Sequence, residues 1–278
     1  MRIRNLLLCC FLVGLTNGWS VPVLRIVYSS MFMRDTDSKA LQDIQYLDIA
    51  SEKSHFYSYN AQRIREINDS LNRRGNMDLS LRQRAGRPYF DHQSYEVYKG
   101  IPQKERLTYT SSELGDFRYE EEIPNLHWAI QDRDTTILEH RCQAATTTFR
   151  GRTWRVWFAL DIPIPDGPWK LCGLPGLILK AEDSKGHFSF DCVGIMNVEG
   201  KDIEVRKENY HVCTPREYFN IFKEIRTNPI GFLNRTRPGK MVMSDDLRKV
   251  IGDADIRNNP EKLAKIVYLE DYDAEKEE

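Results

Sequence analysis

The chain lacks the signatures of the common hydrolases. Its 278 residues contain no Gly-x-Ser-x-Gly nucleophile elbow and no His-Glu-x-x-His metal pair. It also lacks an excess of either charge: 40 Lys and Arg stand against 41 Asp and Glu, for a net charge of −1. That balance argues against a nucleic-acid partner. There is no internal repeat and no low-complexity linker. Past the N-terminus, no apolar run is long enough to span a bilayer. Cysteine is scarce, at six residues.

Hydrophobic residues make up 41% and aromatics 11%. That composition supports a sizeable core and excludes disorder of the whole. The length suits one large domain. The N-terminus reads as a secretory signal peptide: Arg2 and Arg4 lead into the apolar run Leu6 to Leu15, followed by small and polar residues. Gly18 and Ser20 suit cleavage after Ser20. Cys9 and Cys10 lie inside the run, which disfavours a lipid anchor. The expected organisation is a signal over 1–20, one β-rich domain over 21–270 and an acidic tail over 271–278. Loss of 1–20 removes two arginines and no acids, so −1 becomes −3. It leaves Cys142, Cys172, Cys192 and Cys213. These four allow three disulfide pairings, and free buried thiols are equally open.

Strand signals dominate the first two thirds. They cover Val23 to Met33, Gln45 to Ile49, His55 to Tyr59, Tyr89 to Tyr98, Phe117 to Glu122 and Leu126 to Ile130. Asp35 to Ile44 reads as helix or loop. Ile64, Ile67 and Leu71 give Ala61 to Asn72 a helical face. His140 to Phe149 and Thr153 to Ala159 form a hairpin about Arg150-Gly151. Cys142, Ala144, Thr146 and Thr148 share one face of it, and Trp154, Val156 and Phe158 share one of the returning strand. Pro163 and Pro165 predict an edge-like run. Leu177 to Glu182 and His187 to Ile195 follow, and Ile203 to Val205 extends the sheet. Helices come last: Pro215 to Thr227 behind an N-capping Thr214, Asp245 to Ile251 behind Ser244, and an element at Glu261 to Leu269. The fold class expected is α+β, mainly β: a curved antiparallel sheet or half-open barrel with helices near the C-terminus.

Few residues point to chemistry. Gly173-Leu174-Pro175-Gly176 stands before an apolar β run, whereas a phosphate loop must open a helix. It therefore reads as structure: Pro175-Gly176 sets a turn and Gly173 permits close backbone approach. Leu177, Ile178 and Leu179 predict a strand covered on both faces, and Trp169 a core plug. His211 with Cys213, and His187 with Cys192, lack the paired spacing of a structural zinc site. Glu120, Glu121 and Glu122 read as a solvated edge. The cluster Arg73, Arg74, Arg82, Arg84 and Arg87 reads as a solvated loop. No catalytic, metal or cofactor residue stands out, so a non-enzymatic protein is expected.

Gly167, Pro168, Trp169 and Lys170, then Gly173, Leu174, Pro175, Gly176, Leu177, Ile178 and Leu179, closely resemble the signature of the GLPGLI family of exported Bacteroidetes proteins. Trp128, Cys142, Ala144, Phe149 to Arg152, Trp157, Ile162 to Ile164 and Asp183 fit the flanking block. Cys172 departs from it, standing where the family more often has an aromatic residue. The resemblance implies an envelope-associated β protein without an assigned activity, laid out like the half-open barrel of periplasmic lipoprotein carriers. Three functions stay open. The first is binding of an apolar ligand, such as a lipid or acyl chain, among Trp154, Trp157 and Trp169. The second is an accessory role beside an outer-membrane protein machine, docking through the edge near Pro163 and the C-terminal helices. The third is metal handling by Cys and His.

Overall fold

A computed structural model describes residues 21–75, 78, 81, 85–86, 93–112, 115–200, 202–228, 231–232, 257 and 259–274. The expected signal at 1–20, the helix at 245–251 with its cap, residues 275–278, Tyr89, Phe90, Arg82, Arg84 and Arg87 lie outside the described residues.

Among the described residues, twelve strands form one open sheet. They are β1 (Val21–Phe32), β2 (Leu41–Ala50), β3 (Lys53–Ser58), β4 (Tyr95–Lys99), β5 (Arg106–Ser111) and β6 (Phe117–Glu122), then β7 (Ala129–Ile137), β8 (His140–Phe149), β9 (Arg152–Ala159), β10 (Ile178–Asp183), β11 (Phe188–Gly200) and β12 (His211–Val212). The spatial order is β12-β6-β5-β4-β3-β2-β1-β11-β10-β9-β8-β7. Two runs of meander are thus joined where β1 pairs with β11. All pairings are antiparallel except the short β12–β6 contact. Among the described residues, three helices with given bounds accompany the sheet: α1 (Tyr59–Arg73), α2 (Pro215–Thr227) and α3 (Pro260–Leu263).

Local sequence explains much of this. The β8–β9 hairpin turns at Arg150 and Gly151, both with positive φ (53° and 68°), the backbone that tight two-residue loops require. Helix α2 opens with a capping box, in which the Thr214 hydroxyl accepts from the Glu217 N–H and the Glu217 carboxylate accepts from the Thr214 N–H. Asn228 ends it.

Other expectations shift. Leu41 to Ile44 belongs to β2 rather than to a helix or loop, because Asp43 and Gln45 are buried polar members of the strand. Strand β5, in which Leu107 and Tyr109 alternate with Thr108 and Thr110, adds to the expected strands. Strand β7 begins at Ala129 and runs to Ile137, so Trp128 precedes it. Ile203 to Val205 forms no strand, although Ile203 is buried. In β8, Gln143, Ala145 and Thr147 stand opposite Phe158, Val156 and Trp154. Opposed residues share a face, so these three face the main core, and the Cys142, Ala144, Thr146 and Thr148 set lies on the other side. Pro163 does not lie on a sheet edge: the edges are β12 and β7, and residues 160–177 cross the structure as coil.

The sheet wraps around that coil. Strands β6 and β9 stand eight places apart, about 38 Å along the sheet at roughly 4.8 Å per strand. Yet the neighbouring residues Trp169 and Lys170 touch both. Trp169 packs 5.5 Å from Trp154 of β9, and Lys170 reaches the Tyr119 hydroxyl of β6 at 2.9 Å. Arg150, at the β8–β9 turn, pairs directly with Glu121 of β6 at 2.6 Å. Residues 166–174 thus plug a curled, unclosed sheet. Trp169, Leu171, Leu174, Leu177, Ile178 and Leu179 are buried in its core.

Candidate functional site

A cavity of about 480 Å³ opens at one end of the sheet. Its sheet wall comes from the end of β1 (Phe32 to Arg34), the entry to β4 (Gln93 to Tyr95), Tyr109 and Ser111 of β5, and Phe188 of β11. Helix α2 covers it with Tyr218, Phe219, Phe222 and Arg226, and residues 267–272 complete the wall. The C-terminal segment is held in place by Arg152, whose guanidinium donates to the Tyr268 carbonyl and to Asp183 (2.6 Å). Aromatic side chains with one polar end supply apolar contact area while offering few polar anchors.

Tyr95 and Tyr109 of its wall belong to a tyrosine stack that continues to Tyr119. Tyr95 and Tyr109 lie 5.6 Å apart, and Tyr109 and Tyr119 4.6 Å apart, with nearly parallel rings. Burial pushes the Tyr109 and Tyr119 hydroxyls well above the usual phenol range, so both remain neutral donors. Beneath them lies a buried charge network. Lys170 is wholly buried, donates to Glu270 at 2.7 Å and to Glu121, and sits over the Tyr109 and Tyr119 rings. Arg150 joins the same two carboxylates. Buried ions need such mutual pairing.

The expected ligand contacts Trp154, Trp157 and Trp169 lie outside this cavity. Trp154 and Trp169 are completely buried against each other and do not line this cavity. Trp157 lines a separate cleft of about 380 Å³ beside Lys180. The three tryptophans therefore share no single pocket. Glu121 is not a solvated edge residue, because the curl of the sheet brings it to Lys170. No spacing rule could have shown the tyrosine cavity, since its walls come from β1, β4, β5, β11 and α2.

The signature residues act as structure. Gly173 takes φ +88°, but the close approaches are made by Gly176 and Gly167. A Cβ on Gly176 would sit 1.9 Å from the Ala159 carbonyl oxygen, and one on Gly167 2.8 Å from Ile178. Lys99 of β4 anchors the segment by donating to Asp166 and, at 2.8 Å, to the Gly167 carbonyl. All four described cysteines are free thiols. His211 and Cys213 lie at the β12 edge, and His187 lies beside Arg152. Among the described residues, no three His, Cys, Asp or Glu side chains converge as metal ligands. No helix there is long and apolar enough to cross a membrane.

No curated protein matches the sequence. Among solved structures, two of PNGF-II, in P21 and C2 space groups, align with TM-scores of 0.49 and 0.48 at 13% identity. They cover 73% and 74% of this chain but 34% and 33% of theirs, so the aligned part spans about a third of those chains. A LolA superfamily protein from Nitrosomonas europaea aligns at 10% identity and TM-score 0.21, over 68% of this chain and 89% of its own. Residues 128–180, which run from the start of β7 through the signature segment into β10, match the model of a Bacteroidetes-associated family described as a protein of unknown function (Porph_ging).

Proposed function

We propose that this chain is an exported, non-enzymatic envelope protein of the GLPGLI type that holds an apolar ligand, such as a lipid or acyl chain, at the end of its sheet. The observation that carries this reading is the tyrosine- and phenylalanine-lined cavity under α2. Its volume lies within the range of small-molecule sites. The basic and apolar pattern of residues 1–20 supports export. Native mass spectrometry of protein purified from its own envelope should show a bound apolar molecule. Phe222→Arg, which puts a charge on the cavity wall, should remove it. A ligand-free spectrum together with no binding of a fatty-acid probe overturns the reading.

A second reading, an accessory partner of an outer-membrane machine, has support at the opposite edge. Strand β7 is a nearly fully exposed edge with Ile130 at its start, the geometry that strand addition uses. Crosslinking from β7 in intact cells should trap one dominant partner. Recovery of only abundant bystanders ends this reading.

A further inference from the structure

The cavity under α2 carries an excess of positive charge at one end. Among the described residues, three charged residues line it: Arg34, Arg226 and Glu270. Glu270 is taken up by the wholly buried Lys170 at 2.7 Å. The two arginines stand where β1 ends and α2 finishes, Arg34 exposed and Arg226 half-exposed. The Arg226 guanidinium donates to the Arg34 carbonyl at 2.5 Å and stands over the Phe222 ring, 5.9 Å from its centre. The Tyr268 ring meets the same Phe222 edge-on at 6.2 Å. Arg226, Tyr268 and the Arg34 backbone therefore gather at one phenylalanine of the cavity wall.

These groups are accessible donors. A carbonyl partner does not cancel the charge of a guanidinium, which has five N–H donors. The Arg34 side chain forms no ion pair among the described residues. The Tyr268 hydroxyl has no hydrogen-bond partner in the protein and is not among the enclosed polar atoms. Burial pushes it up to about 12, although the Arg226 charge pulls the other way, so it keeps its proton at neutral pH. The carboxylates around this end are already bound. Asp273 accepts from Arg216 at 3.0 Å and Lys223 at 2.7 Å. Asp37 accepts from Lys265 at 2.7 Å, and Asp35 from the Ser38 hydroxyl at 2.6 Å. Asp271 accepts from the N–H groups of Asp273 and Ala274 at 3.2 Å.

We infer that the occupant is a free fatty acid, with its carboxylate at the Arg34, Arg226 and Tyr268 end and its chain along Phe222, Phe219 and Tyr109. Guanidinium and phenol both donate, and the two oxygens of a carboxylate accept from several donors at once. Size selects a single chain. The cavity of about 480 Å³ admits roughly 16 heavy atoms at about 30 Å³ each, the share of a water molecule in the liquid. That is one acyl chain, not the two of a phospholipid. This rests on the apolar-ligand reading above and narrows it from any acyl compound to an anionic, single-chain one.

The test compares decanoate with its neutral counterpart decanol on the full chain at neutral pH, below their aggregation limits, with apparent Kd taken from ligand-dependent shifts of Tm. At low salt decanoate should bind about tenfold more tightly than decanol, the gain of one charge-assisted hydrogen bond, and added salt should shrink that ratio. Arg34→Gln and Arg226→Gln should each weaken decanoate about threefold and leave decanol unchanged. Arg226 also holds the Arg34 carbonyl, so Arg226→Lys, which keeps the charge, should retain most of the advantage of decanoate. If the Arg226 variants do not fold, Arg34→Gln and the wild-type salt series decide. Equal binding of decanoate and decanol, a ratio indifferent to salt, or an advantage that survives both Gln substitutions overturns the inference and leaves the apolar cavity standing. Failure of both ligands overturns the apolar reading and this inference with it.

Discussion

The Lys170 ammonium donates to the Glu270 carboxylate at 2.7 Å, with the lysine fully buried and the glutamate side chain 13% exposed. This contact joins the plugging coil to the C-terminal segment that walls the cavity. Glu121 of β6 and Arg150 of the β8–β9 turn complete the set. One network therefore fixes the curl of the sheet and the shape of the cavity together.

Removal of one member leaves the others buried and unbalanced. Lys170→Met should lower stability by about 3–5 kcal/mol. Lys180→Met, which removes a half-exposed pair with Asp191, should lower it by less than about 1 kcal/mol. Urea unfolding of both variants checks this, and equal losses would contradict a central role for the network.

Gly176 has no room for a methyl group against the Ala159 carbonyl. Gly176→Ala should lose about 3 kcal/mol, at the upper end of the range for overpacking. Gly186 has open space around it but φ +70°, so Gly186→Ala should lose about 1 kcal/mol from backbone strain alone. Thermal denaturation ranks the two, and the reverse order would refute the close-approach account.

Glu96 should shape the acid limb of stability. Burial pushes its carboxyl up, but the His55 hydrogen bond and charge, the Arg65 charge and the Tyr98 hydroxyl outweigh this and hold it at about 2, against 4.5. A carboxyl depressed on folding stabilises above its unfolded pKa and loses that contribution as pH falls through the folded one. Between pH 4.5 and 2 the protein should lose about 3 kcal/mol from this group. Glu96→Gln should flatten the stability profile over that interval, and an unchanged slope would show that Glu96 does not govern it.

Burial pushes the thiols of Cys142, Cys172 and Cys192 up to about 11. Cys213 is more accessible. With a maleimide at neutral pH, Cys213 should react first among the four, and the others chiefly after unfolding. Peptide mapping at intervals reads the order. Labelling of Cys172 as fast as Cys213 would contradict the burial.

The hairpin at Arg150-Gly151, the capped helix behind Thr214 and the strand after Pro175-Gly176 were legible because each depends on residues a few positions apart. Trp169 was legible as a plug for the same reason: a large ring between two turns must be buried. Glu121 was not. In sequence it is the middle of three acids, and only the curl of the sheet gives it a lysine and an arginine. The role of the tryptophans was not legible, because a large aromatic side chain signals burial without saying whether it is buried in a core or in a ligand site.

The sequence by itself determined the mainly β class, the positions of most strands along the chain and the structural character of the Gly167 to Leu179 segment. Alternation, turn chemistry and capping act over short stretches of chain. The tertiary structure alone decided that β6 meets the β8–β9 turn, that Lys170 is enclosed by Glu121 and Glu270, and that a tyrosine-lined cavity opens under α2. These follow from the curling of an open sheet, which brings together strands that lie about 38 Å apart along it, and no local pattern encodes that distance.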